Sequence, residues 1–190
     1  MRSPTTPGGE NAASDRGTAP RRKKISAGIL VYRFTSGVLE VLLVHPGGPF
    51  WAKRDQGSWS IPKGEVEEGA GLLETAKREF REETGFPVDG DFIELTPLRQ
   101  AGGKLVHAWA VNGEIDASRV ESNTFSMEWP PRSGKQARFP EIDRAEWFAI
   151  PAAVDKLLHG QRGFLEELAQ KIGTGPTAAP AQPPHDPDRP

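Results

Sequence analysis

Gly64–Phe86 reads GEVEEGAGLLETAKREFREETGF. From Leu72 to Thr84 the apolar residues Leu73, Ala76 and Phe80 recur at helical spacing, and Gly85 supplies the stop. With Glu79 placed at 0° on the helical wheel, Glu82 falls at about 300° and Glu83 at about 40°. Three carboxylates therefore share an arc of about 100°, next to the face that carries Leu73, Ala76 and Phe80. Like charges so placed destabilise a bare helix by a few tenths of a kcal/mol per pair, roughly. A hard cation reverses that sign. Oxygen donors with no His or Cys in the segment suit Mg²⁺ or Mn²⁺ and disfavour zinc. The wheel alone leaves a second reading open: a solvated acidic face braced by Arg78, which stands four residues from both Glu74 and Glu82, and by Arg81.

The spacing adds what the wheel lacks. Gly64 followed by Arg78-Glu79-Phe80-Arg81-Glu82-Glu83-Thr84-Gly85-Phe86 resembles the Nudix box, with its gap lengths intact. The stretch Trp59-Ser60-Ile61-Pro62-Lys63-Gly64 resembles the strand and turn that lead into that box. The resemblance implies an α/β fold, a Nudix-type α/β/α sandwich around a mixed β-sheet, spanning nearly all of 25–173. It also implies a hydrolase of phosphoanhydride bonds that uses Mg²⁺ or Mn²⁺. By position, Glu79, Glu82, Glu83 and the carbonyl of Gly64 would hold the metal, and Glu79 or Glu82 would activate water. Glu141, six residues before Trp147 in PEIDRAEW, matches the family's additional acidic residue, with Asp143 as the second candidate. The one departure is Ala70, which stands where the box has its first glutamate. Support for Arg78 then falls to Glu74, or to Glu67 or Glu68.

Cations facing such a site would bind phosphate. Lys63 is adjacent to the box glycine, Lys53 and Arg54 lie in the loop before Trp59, and Arg132, Lys135 and Arg138 lie in what reads as a Gly/Pro-containing loop. Phe50, Trp51 and Trp109 are aromatic candidates for stacking on a base, and His45 and His107 read as packed or exposed strand residues. Within the family, Trp-Ser-Ile-Pro-Lys-Gly resembles the dinucleoside polyphosphate hydrolases, so the substrate expected is a nucleotide polyphosphate such as diadenosine tetraphosphate. A nucleoside triphosphate pyrophosphohydrolase and a non-catalytic nucleotide sensor are the alternatives.

Composition narrows the remaining classes. The 190 residues include no cysteine, which excludes disulfides, thiolate nucleophiles and iron–sulfur clusters. No apolar run reaches the length of a membrane span or a secretory signal, so a cytoplasmic protein is expected. The net charge is −2, with the positive excess in the first 24 residues and an acidic balance in 25–173. That balance argues against binding duplex nucleic acid. Half of the 18 prolines fall in 1–24 and 174–190, which read as tails, the first ending in the basic run Arg21–Lys24. Oligomeric state is not legible.

Between the tails, Ile25–Phe34 and Val38–His45 read as a β-hairpin, and a short strand is expected at Ser58–Ile61. Further strands are expected at Phe92–Leu98, Lys104–Val111 and Glu146–Ala149, with helices at Pro151–Leu158 and Gly163–Ile172.

Overall fold

The computed structural model describes residues 24–173, so both expected tails lie outside the described residues. The first hairpin forms as its pattern requires. Strands β1 (Ile25–Thr35) and β2 (Val38–Pro46) pair antiparallel up to Thr35 and Val38. The two residues between them, Ser36 and Gly37, both take positive φ (50° and 81°), the backbone that matches the twist of a two-residue hairpin.

The chain then runs through β3 (Lys63–Glu65), α1 (Leu72–Thr84), β4 (Ile93–Arg99) and β5 (Leu105–Asn112). It continues through β6 (Thr124–Glu128), β7 (Gln136–Pro140), β8 (Ile142–Ala149), α2 (Ile150–Lys156) and α3 (Arg162–Gly173). The main sheet has the order β4-β5-β1-β2-β8, with β3 pairing against the start of β1. The β1–β5 pair is parallel and the others antiparallel, so the sheet is mixed.

Alternation along β1 and β2 sends side chains to two cores. Ile29, Val31, Leu42 and Val44 pack with Ala76 and Phe80 of α1 on one face. Leu30, Tyr32, Val41 and Leu43 pack with Ala153 of α2 and with Phe164, Leu165 and Leu168 of α3 on the other. Three layers result, as expected from the strand and helix pattern. Phe80 and Phe164 are fully buried, and each contributes roughly 1.5–3 kcal/mol of apolar transfer. None of the described helices is long and apolar enough to cross a membrane.

Three departures have physical reasons. Ser58–Ile61 is not a ladder strand but makes two isolated bridges, Val44 with Ser60 and Trp59 with Leu157. Pro62 has no N–H to extend it and contributes only its carbonyl, to Ile29 N at 3.0 Å, so regular pairing starts at Lys63. The segment with Arg132, Lys135 and Arg138, expected as a loop, is the turn and second strand of the separate hairpin β6–β7, which puts Arg138 on a strand. Strand β8 begins at Ile142, ahead of the expected Glu146.

Candidate active site

Strand β3 brings the start of the box to the helix. Gly64 sits opposite Ala27 of β1, and α1 packs across the same strand. The carboxylate of Glu79 then lies directly on the Cα of Gly64. A Cβ at residue 64 would stand 1.8 Å from Glu79 Cδ and Oε2, so no larger residue fits beside that carboxylate. One turn on, Glu83 accepts the peptide N–H of Lys63 at 3.0 Å.

These carboxylates are not ordinary ones. Burial pushes the Glu83 carboxyl up to about 7, against the opposing pull of Lys63 and with added repulsion from Glu79 and Glu141. Burial also raises Glu79, opposed by Arg78 and aided by Glu82 and Glu141. Lys63 is shifted the other way, downward, because its ammonium loses solvent; Lys104 adds to that shift, while Glu83 and Glu79 oppose it. Half-buried carboxylates pushed together and a desolvated lysine beside them form an arrangement that wants an additional cation.

In its place, Arg78 does part of that work. Its guanidinium donates to both oxygens of Glu82 at 3.0 and 2.9 Å and to Glu79 Oε1 at 2.5 Å. The expected partnership with Glu74 does not form: Glu74 is exposed, and no hydrogen bond or ion pair joins it to Arg78. Among the described residues, no three acidic or histidine side chains stand together as a ready cage for a metal. The donors are nonetheless all oxygen, and the bare Cα of Gly64 keeps Glu79 beside them, which fits a hard divalent cation and not zinc.

Glu141 joins the site from the start of β8. It lines a cleft of about 140 Å³ together with Lys63 and Glu83, between Pro46 and Ile142. Its backbone is fixed at both groups, with Gly47 N donating to Glu141 O and Glu141 N donating to Asn123 O, each at 2.8 Å. Gly47 is the residue that permits this approach, since a Cβ there would meet the Pro140 carbonyl oxygen at 2.1 Å. Gly47→Ala is accordingly expected to lower the melting temperature by more than about 5 °C and to weaken activity as Glu141 is displaced. A calorimetric scan that leaves the variant at the wild-type temperature contradicts this placement.

Asp143, the second acidic candidate, is engaged elsewhere. Its Oδ1 lies 2.7 Å from Nδ1 of the fully buried His45, whose Nε2 lies 2.8 Å from the Arg54 carbonyl oxygen. His45 thus ties β8 to the loop after β2. Lys53 and Arg54 do not line the cleft with Glu83 and Glu141; Arg54 leans over the Trp51 ring at 5.3 Å. Sequence reading missed Gly47 and Lys104. Pro46-Gly47-Gly48-Pro49 reads only as the start of a long loop, and nothing local to Lys104 announces its neighbour Lys63.

The raised Glu83 carboxyl has a consequence for stability. Its folded value of about 7 exceeds the ordinary 4.5, so between the two the folded state binds more protons than the unfolded one. Stability then falls as pH rises through that window. The metal-free protein is expected to melt at progressively lower temperature from about pH 5 to about pH 8, with a shallower slope in Glu83→Gln. Equal slopes in the two proteins would remove Glu83 as the cause.

A NUDIX domain model matches residues 22–168. Nudix hydrolase 5 of Arabidopsis thaliana is 25% identical over 125 residues, covering 65% of this chain but only 36% of that protein. Among solved structures, a binary complex of the Ap4A hydrolase of C. elegans superposes with a TM-score of 0.54 at 19% identity, over 79% of this chain and 98% of that one. The NUDIX domain of Shewanella oneidensis NrtR, complexed with ADP ribose, gives 0.55 at 17% identity, over 81% and 90%. At those identities the two structures establish a shared fold. The family match spans most of the chain and includes the whole box, and by it the chain belongs to the Nudix hydrolase family.

Proposed function

We propose that this chain is a divalent-metal-dependent pyrophosphohydrolase that cleaves the phosphoanhydride of a nucleoside diphosphate joined to a further group. The observation that carries the reading is the Glu79 carboxylate seated on the bare Cα of Gly64, one turn from the half-buried Glu83. Glu79, Glu82, Glu83 and the Gly64 carbonyl are the proposed holders of Mg²⁺ or Mn²⁺. The ion, when bound, supplies neutralisation of the leaving phosphate and polarisation of the attacked phosphorus.

The protein's own groups do the rest. Glu79 or Glu82 takes the proton of the attacking water, and each has Arg78 beside it to hold its orientation. Glu141 lines the same cleft as Glu83 and positions water or metal there. Lys63 meets the phosphate chain at the point where the cleft opens. Lys53 and Arg54 stay candidates only for a longer substrate that extends past the cleft. With Ala70 in the box, Arg78 is held by Glu79 and Glu82 themselves.

A dinucleoside polyphosphate such as diadenosine tetraphosphate is the preferred substrate, on the strength of the Trp59–Gly64 stretch. The likeness in fold to the C. elegans Ap4A hydrolase agrees with it. A protein of this kind, free of cysteine, suits a cytoplasmic setting. The test is a nucleotide panel incubated with Mg²⁺ or Mn²⁺, with products identified by mass. Metal-dependent cleavage, fastest with dinucleoside polyphosphates, is expected. Faster cleavage of nucleoside triphosphates would move the assignment to a triphosphate pyrophosphohydrolase. Saturable binding with no turnover of any member would make the chain a nucleotide sensor.

A further inference from the structure

The ladder between β2 and β8 breaks at one point. His45 pairs with Arg144 and Pro46 with Ile142, so Asp143 is an extra residue with no partner across the ladder. A bulge re-aims a side chain, and bulges are over-represented beside active sites. Here the pair that closes the bulge, Pro46 and Ile142, lines the cleft that also holds Lys63, Glu83 and Glu141. The Asp143 side chain meets His45, which is fully buried and stands edge-on to the Trp59 ring at 5.2 Å.

The two contacts of the imidazole impose a proton count. The Arg54 carbonyl oxygen, 2.8 Å from Nε2, can only accept, so Nε2 carries a hydrogen. A neutral imidazole has no second N–H, and its bare Nδ1 would then turn a lone pair on Asp143 Oδ1 at 2.7 Å. The other tautomer moves the same conflict to the Arg54 carbonyl. The geometry therefore asks for one more proton than a neutral histidine and a carboxylate bring. That proton belongs on the ring, because Arg144 Nε stands 3.6 Å from the same Asp143 oxygen and suits a carboxylate rather than a hydroxyl.

We infer that His45 is a positioning residue for the proposed hydrolysis, a doubly protonated imidazole that fixes Glu141 by donating to Asp143 and to the Arg54 carbonyl at once. The inference rests on the hydrolase reading above and adds to it how Glu141 is held. Asp143 lies two residues after Glu141 on the same strand run, so the first contact anchors the backbone that carries the cleft carboxylate. Arg54 belongs to the loop after β2, and at the start of that loop Gly47 N donates to Glu141 O at 2.8 Å. One buried ring thus holds the backbone of Glu141 and the loop that bonds to it. A flat ring with N–H donors at two separate edges reaches both acceptors while it packs on Trp59. Asp143 on this account acts as an acceptor for His45 and not as a ligand in the cleft.

Two variants of Asp143 separate these roles, and its side chain, 28% exposed, tolerates both without a buried void. Asp143→Asn suits a neutral ring, since its amide N–H donates to a bare Nδ1, whereas Asp143→Ala leaves that nitrogen without a partner. With a nucleotide substrate, Asp143→Ala should lower kcat by about tenfold, while KM stays within about twofold of wild type. Asp143→Asn should keep both constants within about twofold. In ¹H–¹⁵N spectra of the full chain, His45 should show two ring N–H resonances in wild type and only Nε2–H in Asp143→Asn. Exchange of the Gly47 amide hydrogen reports the hold on Glu141, and it should quicken by about tenfold in Asp143→Ala but not in Asp143→Asn. An Asp143→Asn as damaged as Asp143→Ala would mean that the carboxylate itself acts in the cleft, and would overturn the inference. A single ring N–H in wild type, or unchanged Gly47 exchange in Asp143→Ala, would overturn it as well. Asp143→Ala turning over at the wild-type rate would overturn it while leaving the proposed activity intact. Two ring N–H resonances and the exchange contrast, in a protein that hydrolyses nothing, would support the hold on Glu141 and remove only the activity.

Discussion

Glu83→Gln is expected to reduce kcat by about a hundredfold or more, and at the same time to raise the melting temperature of the metal-free protein above about pH 7. The two effects share one cause. Burial holds the Glu83 carboxyl at about 7, so at higher pH the folded protein carries a charge that its surroundings disfavour. The shift from the ordinary value corresponds to roughly 3 kcal/mol, of which an amide recovers some part. An amide oxygen still accepts the Lys63 N–H, so the local geometry survives. What is lost is the negative donor for a cation. Glu82→Gln should lose activity similarly with little gain in stability, because Glu82 is well exposed and already neutralised by Arg78. Activity measured beside thermal melts at pH 8 separates these outcomes. A stable, active Glu83→Gln would mean that the acidic face is only a surface.

Gly64→Ala is expected to lower kcat/KM by about a hundredfold while shifting the melting temperature by less than about 5 °C. The new methyl group meets only the end of a flexible side chain, the Glu79 carboxylate at 1.8 Å. That carboxylate swings away and the backbone stays. A misplacement of about 1 Å at a reacting group is enough for a loss of this size. Gly28→Ala supplies the contrast, since its methyl group would meet the Pro62 carbonyl oxygen at 2.5 Å, which is backbone. There the fold should yield first. Melting temperature and kcat/KM measured for both variants are expected to move in opposite order, and a fully active Gly64→Ala would contradict the role given to Glu79.

Helix α1 was legible because its periodicity, its stop at Gly85 and its fixed spacing from Gly64 all point to the same element. The burial of Glu83 was not, because the wheel gives direction around a helix and not the depth of the strand beside it. The partner of Arg78 shows the same limit. Spacing makes Glu74 and Glu82 equivalent neighbours, and the choice of Glu82 follows from Glu79 lying on the same side, held against β3. Hairpin β6–β7 was hidden behind Pro130, Pro131 and Gly134, which read as a loop. Its signal was present in the alternation of half-buried Phe125, Met127 and Trp129 with exposed Thr124, Ser126 and Glu128. His45 read as a strand residue, packed or exposed; its full burial and its two partners, 98 and 9 residues away, belong to tertiary structure.

The most direct test of the central claim is the Mg²⁺ dependence of nucleotide hydrolysis in ¹⁸O-water, compared between wild type and the double variant Glu82→Gln/Glu83→Gln. The proposed site predicts that wild type turns over only with added Mg²⁺ or Mn²⁺, places one ¹⁸O in a phosphate product, and loses turnover in the double variant. Hydrolysis that persists without metal, or that survives the loss of both carboxylates, would contradict it.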